Sequence, residues 1–219
     1  MKALRLTFTA LGLAALLTAQ ASAQGGRGGF GGGGGAALLT NKGVLKELKV
    51  DDAQTEKLAK ASEELQAKGR EARQGLQDLS QEERRDKMTA LTKTMNADMD
   101  KVVGEVLKPE QVNRFKEIRL QVRGADAFGD EAIAKDLKVT DEQKGKIKDL
   151  LADQQTQMRE IFMGAADDRE GAMKKVTELR KETKTKIVAL MTEDQKKAWA
   201  GLTGAAFEFV PEPPPQRNN

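Results

Sequence analysis

The stretch from Ser80 to Val106, SQEERRDKMTALTKTMNADMDKVVGEV, carries its apolar side chains at Met88, Leu91, Met95, Met99, Val102 and Val106. Steps of three and four residues set all six on one stripe of a helix, where a strand would alternate. Ser80-Gln81-Glu82-Glu83 at its head has the form of a capping box, which satisfies two free amides and fixes the helix start. Outward from it, Leu58, Leu65, Ala72 and Leu79 recur every seven residues, a coiled-coil-like spacing. Ile147, Leu150, Leu151, Gln154, Met158 and Ile161 form a third stripe. Met173, Val176, Leu179, Ile187 and Leu190 form a fourth, interrupted by polar Thr183. No stretch alternates convincingly, so the chain reads as all-α.

Composition agrees. The 219 residues include 37 Lys+Arg and 34 Asp+Glu, one Trp, and no Cys, His or Tyr. Without Cys or His there is no disulfide framework, thiolate nucleophile, zinc finger or imidazole base. Three serines without histidine cannot build a Ser-His-Asp hydrolase. Few aromatics and many charges suit thin amphipathic helix packing. No motif indicates a cofactor or a metal, and the chain reads as non-enzymatic.

Residues 1–23 read as a signal peptide: Lys2 and Arg5, an apolar run Leu6–Leu17, then Ala21-Ser22-Ala23 for cleavage. That run is short of the ~20 residues that span a bilayer, so no integral membrane segment is expected after cleavage. Periplasmic or secreted location follows. The signal holds two of the 37 basic residues, leaving 35 against 34 acidic ones and no general reason to bind nucleic acid. Residues 24–36 are rich in glycine, broken by Arg27 and Phe30, and predict a flexible linker; a single Arg does not make it an RGG element. Residues 210–219 predict a Pro-rich disordered tail.

A short pattern occurs four times: Val50-Asp51-Asp-Ala-Gln54, Leu107-Lys-Pro109-Glu-Gln111, Val139-Thr140-Asp-Glu-Gln143 and Met191-Thr192-Glu-Asp-Gln195. Its physics is a helix start. Asp51, Thr140 and Thr192 accept a first-turn amide, and Gln54, Gln143 and Gln195 reach back to the cap amide. The acids between them complement the helix dipole. Lys108 is a poor cap, partly offset by Pro109 at the first helical position. The motif is therefore structural.

Each half repeats a plan: motif, long helix, turn, long helix, motif, short helix. The turns fall near Gly75–Ser80 and Gly164–Gly171, and helices of ~24 residues would be ~36 Å long. This predicts two tandem helical hairpins, residues 37–124 and 125–209, forming an elongated bundle or cradle, with a hinge at Arg123–Asp126.

The pair Val139-Thr-Asp-Glu-Gln143 and Met191-Thr-Glu-Asp-Gln195, set either side of a charged helical hairpin behind a signal peptide, resembles the Spy/CpxP family of LTxxQ-motif periplasmic proteins. The resemblance covers roughly Leu45–Gly201. It implies an all-α, ATP-independent chaperone or envelope-stress binding protein that holds partly unfolded clients, and it admits a homodimer. Four motifs stand where a member usually has two, so the chain resembles a duplicated unit, similar to exported proteins of planctomycete-type bacteria. Metal-sensing relatives use His, which this chain lacks.

Met88, Met95 and Met99 lie on an apolar stripe where Met is an ordinary gap-filler. Phe115, Phe128, Phe162, Trp199, Phe207 and Phe209 fall at predicted helix junctions, where packing would lock short helices onto the hairpins. A chaperone would instead use Met88, Met95 and Met99, with Phe162 and Trp199, for client contact. The acidic pairs Asp51/Asp52, Asp141/Glu142 and Asp167/Asp168 are helix-start charges rather than a carboxylate dyad or calcium loop. The expected partners are unfolded or partly folded proteins. The alternative is a structural scaffold of the envelope with a single protein partner.

Overall fold

The computed structural model describes residues 34–165 and 168–212. The expected signal peptide, residues 24–33 of the linker and residues 213–219 of the tail lie outside the described residues. Among the described residues there are nine α-helices, one 3-10 turn and no strand: α1 Gly34–Leu38, α2 Lys42–Leu48, α3 Asp52–Gln74, α4 Gln81–Val106, α5 Pro109–Arg123, the 3-10 turn Gly124–Gly129, α6 Glu131–Asp136, α7 Asp141–Met163, α8 Arg169–Ala189 and α9 Glu193–Thr203. The protein is all-α.

The long helices pair as their stripes require, α3 against α4 and α7 against α8. At 26 residues, α4 is about 39 Å long. Of its stripe only Met99 is fully buried, where it meets Leu58, Leu65 and Phe115 together with Val103, a residue off the expected stripe; Met88, Leu91, Met95, Val102 and Val106 stay half-buried. Met95 packs over Gly69 of α3, its Cε 3.6 Å from where a Cβ would lie, an ordinary contact distance. The turn between α3 and α4 is clamped by Arg84, whose guanidinium donates to the carbonyls of Leu76, Gln77 and Leu79 at 3.0, 2.9 and 3.0 Å. These carbonyls belong to the turn beyond the end of α3, where no helix ladder supplies them with a donor.

Two apolar clusters form the core. One joins α1–α5 around Phe115, Ile118 and Val44; the other joins the 3-10 turn and α6–α9 around Ile187, Leu137 and Phe128. In the first half α1 lies against α3, α4 and α5; in the second, the 3-10 turn lies against α7 and α8. These two short elements are equivalent wedges at the base of each helix pair.

Three sequence expectations are corrected here. The linker does not run to residue 36: Ala36 is buried in α1, and its carbonyl accepts a 2.8 Å bond from Ser62 Oγ of α3. Arg123–Asp126 is not a hinge. Gly124 turns the chain at φ 56, but Ala125, Ala127 and Phe128 are buried under α7 and α8, so the segment is a wedge held by apolar contact. The disordered tail does not begin at Val210. The Val210 carbonyl accepts from Asn41 Nδ2 at 2.9 Å, and Glu212 Oε1 accepts from the Lys42 amide at 2.6 Å.

Candidate functional site

The four motifs begin α3, α5, α7 and α9. Asp51, Thr140 and Thr192 each accept the amide of the glutamine three residues on. Lys108 makes no such bond, as an ammonium has no acceptor; Pro109 occupies the first turn of α5 and only the return bond remains, Lys108 N to Gln111 Oε1 at 2.9 Å. Leu107, Val139 and Met191 are buried just before their caps, and Val50 is half-buried.

The glutamines do more than cap. In the first half, Gln54 Nε2 donates to Gln111 Oε1 at 2.9 Å, and Gln111 Nε2 returns to Gln54 Oε1 at 3.3 Å. In the second, Gln143 and Gln195 exchange the same two bonds at 2.9 Å each. Each remaining amide proton goes to a carbonyl beside the partner motif: Gln54 to Val106, Gln111 to Leu48, Gln143 to Leu190 and Gln195 to Lys138. Each oxygen also accepts its own cap amide. Two donors and two lone pairs per side chain are thereby all used, which is what permits burial of Gln111 and Gln195. A carboxylate cannot replace the amide here, because it has no donor to return. Each clasp pins the start of one long helix to the junction that follows its partner.

Two lysines complete the arrangement. Lys49 and Lys138, both at φ 52, are the non-glycine residues of positive φ among those described. Each lies between a short helix and a motif. Val50 N then bonds Leu45 O, and Val139 N bonds Ala134 O, as in a left-handed helix stop.

The residues expected to touch clients separate. Met99 is buried against Gly35 and the first cluster, and Trp199 is buried with its ring 4.3 Å from that of Phe128. Neither is a client surface; both are core, because the short helices close over the base of each hairpin. Met95 is half-buried between α3 and α4, while Met88 lines a shallow hollow of about 240 Å³ with Arg73, Leu76, Gln77 and Arg84. Phe162 is 42% exposed, and Met163 beside it is 70% exposed. Met163 was missed from sequence because it lies off the α7 stripe at the last helical position, and that departure was the available signal.

A polar bridge ties the second wedge to its hairpin. Gln154, buried in α7, donates to Asp126 Oδ1 at 2.8 Å, and Arg180 of α8 stands 3.8 Å from Asp126 Oδ2. Among the described residues no cluster of three or more acidic side chains is placed to hold a metal ion, and no helix is long and apolar enough to cross a membrane. Charged groups shifted by contact lie in small local sets, the largest being Arg114, raised by its bonds to Glu117 and then Glu47. The Ser80 hydroxyl and amide hold the Glu83 carboxyl below the usual range, Lys146 does the same to Glu142, and Glu170 raises Lys174.

Comparison with protein-family models, curated proteins and solved structures returns no match to this chain.

Proposed function

We propose that this chain is an exported, ATP-independent chaperone-like or envelope-stress binding protein that holds partly unfolded clients without covalent chemistry. The observation that carries it is the end of the second hairpin, where Phe162 and Met163 stand exposed beyond a strongly charged helical shaft. An adaptable thioether beside an aromatic ring, on a surface of mixed charge, suits weak contact with many apolar segments. The half-buried Met88, Leu91 and Met95 offer a second surface of the same chemistry on the first hairpin. The paired motifs, read as a duplicated form of the Spy/CpxP plan, support the same reading, with the two hairpins as a cradle.

Light scattering of two unrelated aggregating clients tests it. Equimolar wild type should suppress scattering, and the Phe162→Ser/Met163→Ser double variant should lose at least half of that suppression. A folded wild type that suppresses neither client overturns the proposal and favours the scaffold with one stoichiometric partner. Export is tested separately: N-terminal sequencing of the chain recovered from an exporting host should begin at Gln24.

A further inference from the structure

Residues 204–212 have no regular secondary structure, yet the first half grips them at successive points. Gln121 of α5 donates to the carbonyls of Thr203 and Ala205 at 2.6 and 2.8 Å, and its Oε1 accepts the Phe207 amide at 2.8 Å. Its carboxamide thus bonds the carbonyl before Ala206 and the amide after it, as a neighbouring strand would. Arg114 donates to the Ala205 carbonyl at 2.9 Å, and Asn41 holds Val210 further along. The side chains alternate: Phe207 and Phe209 are half-buried against the first core cluster, while Glu208 and Val210 face out. Phe207 crosses α2 at Gly43, with ring Cζ 3.7 Å from where a Cβ would lie.

We infer that this face of α2 and α5 is a binding site for an extended polypeptide segment with aromatic residues at alternate positions. The chain's own Phe207-Glu208-Phe209 occupies it in cis, and an extended segment of another protein occupies it when the strap lifts. Three features of the grip carry this. Gln121, Arg114 and Asn41 read main-chain groups, which every extended segment offers, while the ring sites and the Lys42 amide that bonds the Glu212 carboxylate select sequence. The strap follows α9 through Gly204 at φ 62, so lifting it unwinds no helix. Its rings are only half-buried, so they hold the strap more weakly than the core holds α5. The site lies away from the hairpin end and is independent of the chaperone proposal.

The test uses the full chain with Phe207→Ser/Phe209→Ser, which loosens the strap and leaves the face intact. The probe is a fluorescein-labelled peptide of residues 203–212, TGAAFEFVPE, read by anisotropy. The double variant should bind it at least tenfold more tightly than wild type, where the tethered strap competes; a peptide with both Phe replaced by Ser should not bind saturably. A variant of wild-type helicity that binds neither peptide saturably, or both alike, overturns the inference. So does a wild-type dimer that the double substitution dissolves, since the face would then belong to a second copy's strap. If the variant loses helicity, hydrogen exchange of the wild type decides. The Phe207 amide should exchange at least tenfold faster than those of Phe115 and Ile118; equal protection means that the strap leaves only on global unfolding, and overturns the inference.

Discussion

Gln143 and Gln195 face each other as a self-complementary amide pair, each Nε2 standing 2.9 Å from the other's Oε1, across 52 residues of chain. The pair recurs at Gln54 and Gln111, so each half closes at its base by the same device. Primary amides suit the place because each presents a donor and an acceptor side by side. A single residue then satisfies a cap amide, a junction carbonyl and its own counterpart.

Gln195→Ala removes both donors and leaves the Lys138 carbonyl and the Gln143 amide short of partners. The expected loss is about 2–3 kcal/mol by chemical denaturation. The double-mutant cycle with Gln143→Ala should give a coupling of about 1 kcal/mol or more. Additive losses would mean that the two side chains act only as separate caps.

Lys138 sits at φ 52, a conformation that costs an L-residue roughly 1 kcal/mol and glycine almost nothing. Its carbonyl is what Gln195 uses, and substitution leaves that group in place. Lys138→Gly and Lys49→Gly should each stabilise the protein by about 0.5–1 kcal/mol, read as a raised denaturation midpoint at unchanged slope.

The Glu83 carboxyl is held below its usual range first by the Ser80 hydroxyl, donating at 2.6 Å, and then by the Ser80 amide at 3.1 Å. A folded value lower than the unfolded one means stability present above the unfolded pKa, about 4.3, and lost as pH falls through the folded pKa. Glu83→Gln keeps an acceptor for the cap amide without titrating. The variant should therefore lose less stability than wild type between pH 6 and pH 3, measured by denaturant titration at each pH.

Gly204 combines φ 62 with the Glu117 carboxylate lying where a Cβ would project. Gly204→Ala should cost about 1–2 kcal/mol from backbone strain alone, more if Glu117 cannot swing away from Arg114. Proteolysis within residues 205–212 should accelerate while far-UV helicity stays at the wild-type level. Unchanged cleavage would show that the strap does not depend on this joint.

What the chain revealed unfolded was local. Ser80 with Glu83 and Thr140 with Gln143 lie within one helical turn, so cap and return bond follow from spacing alone. Met88 to Val106 likewise announced a stripe, since period needs no knowledge of the partner. Even the interruption at Thr183 was resolved locally: it is buried, and its hydroxyl bonds the Leu179 carbonyl one turn back. Gln154 was legible as a stripe position, but its acceptor Asp126 comes from a turn that sequence took for a hinge.

Sequence by itself determined that this is an all-α protein, where its long helices start and turn, and that its halves share one plan. Only the tertiary structure decided that the motif glutamines meet in pairs, that Met99 and Trp199 are interior while Met163 is not, and that Phe207 and Phe209 return to the first half. The reason is one of range. Capping and amphipathic period arise between residues a turn apart, whereas an amide pair across more than fifty residues, or a ring laid over Gly43, exists only once the helices have closed on one another.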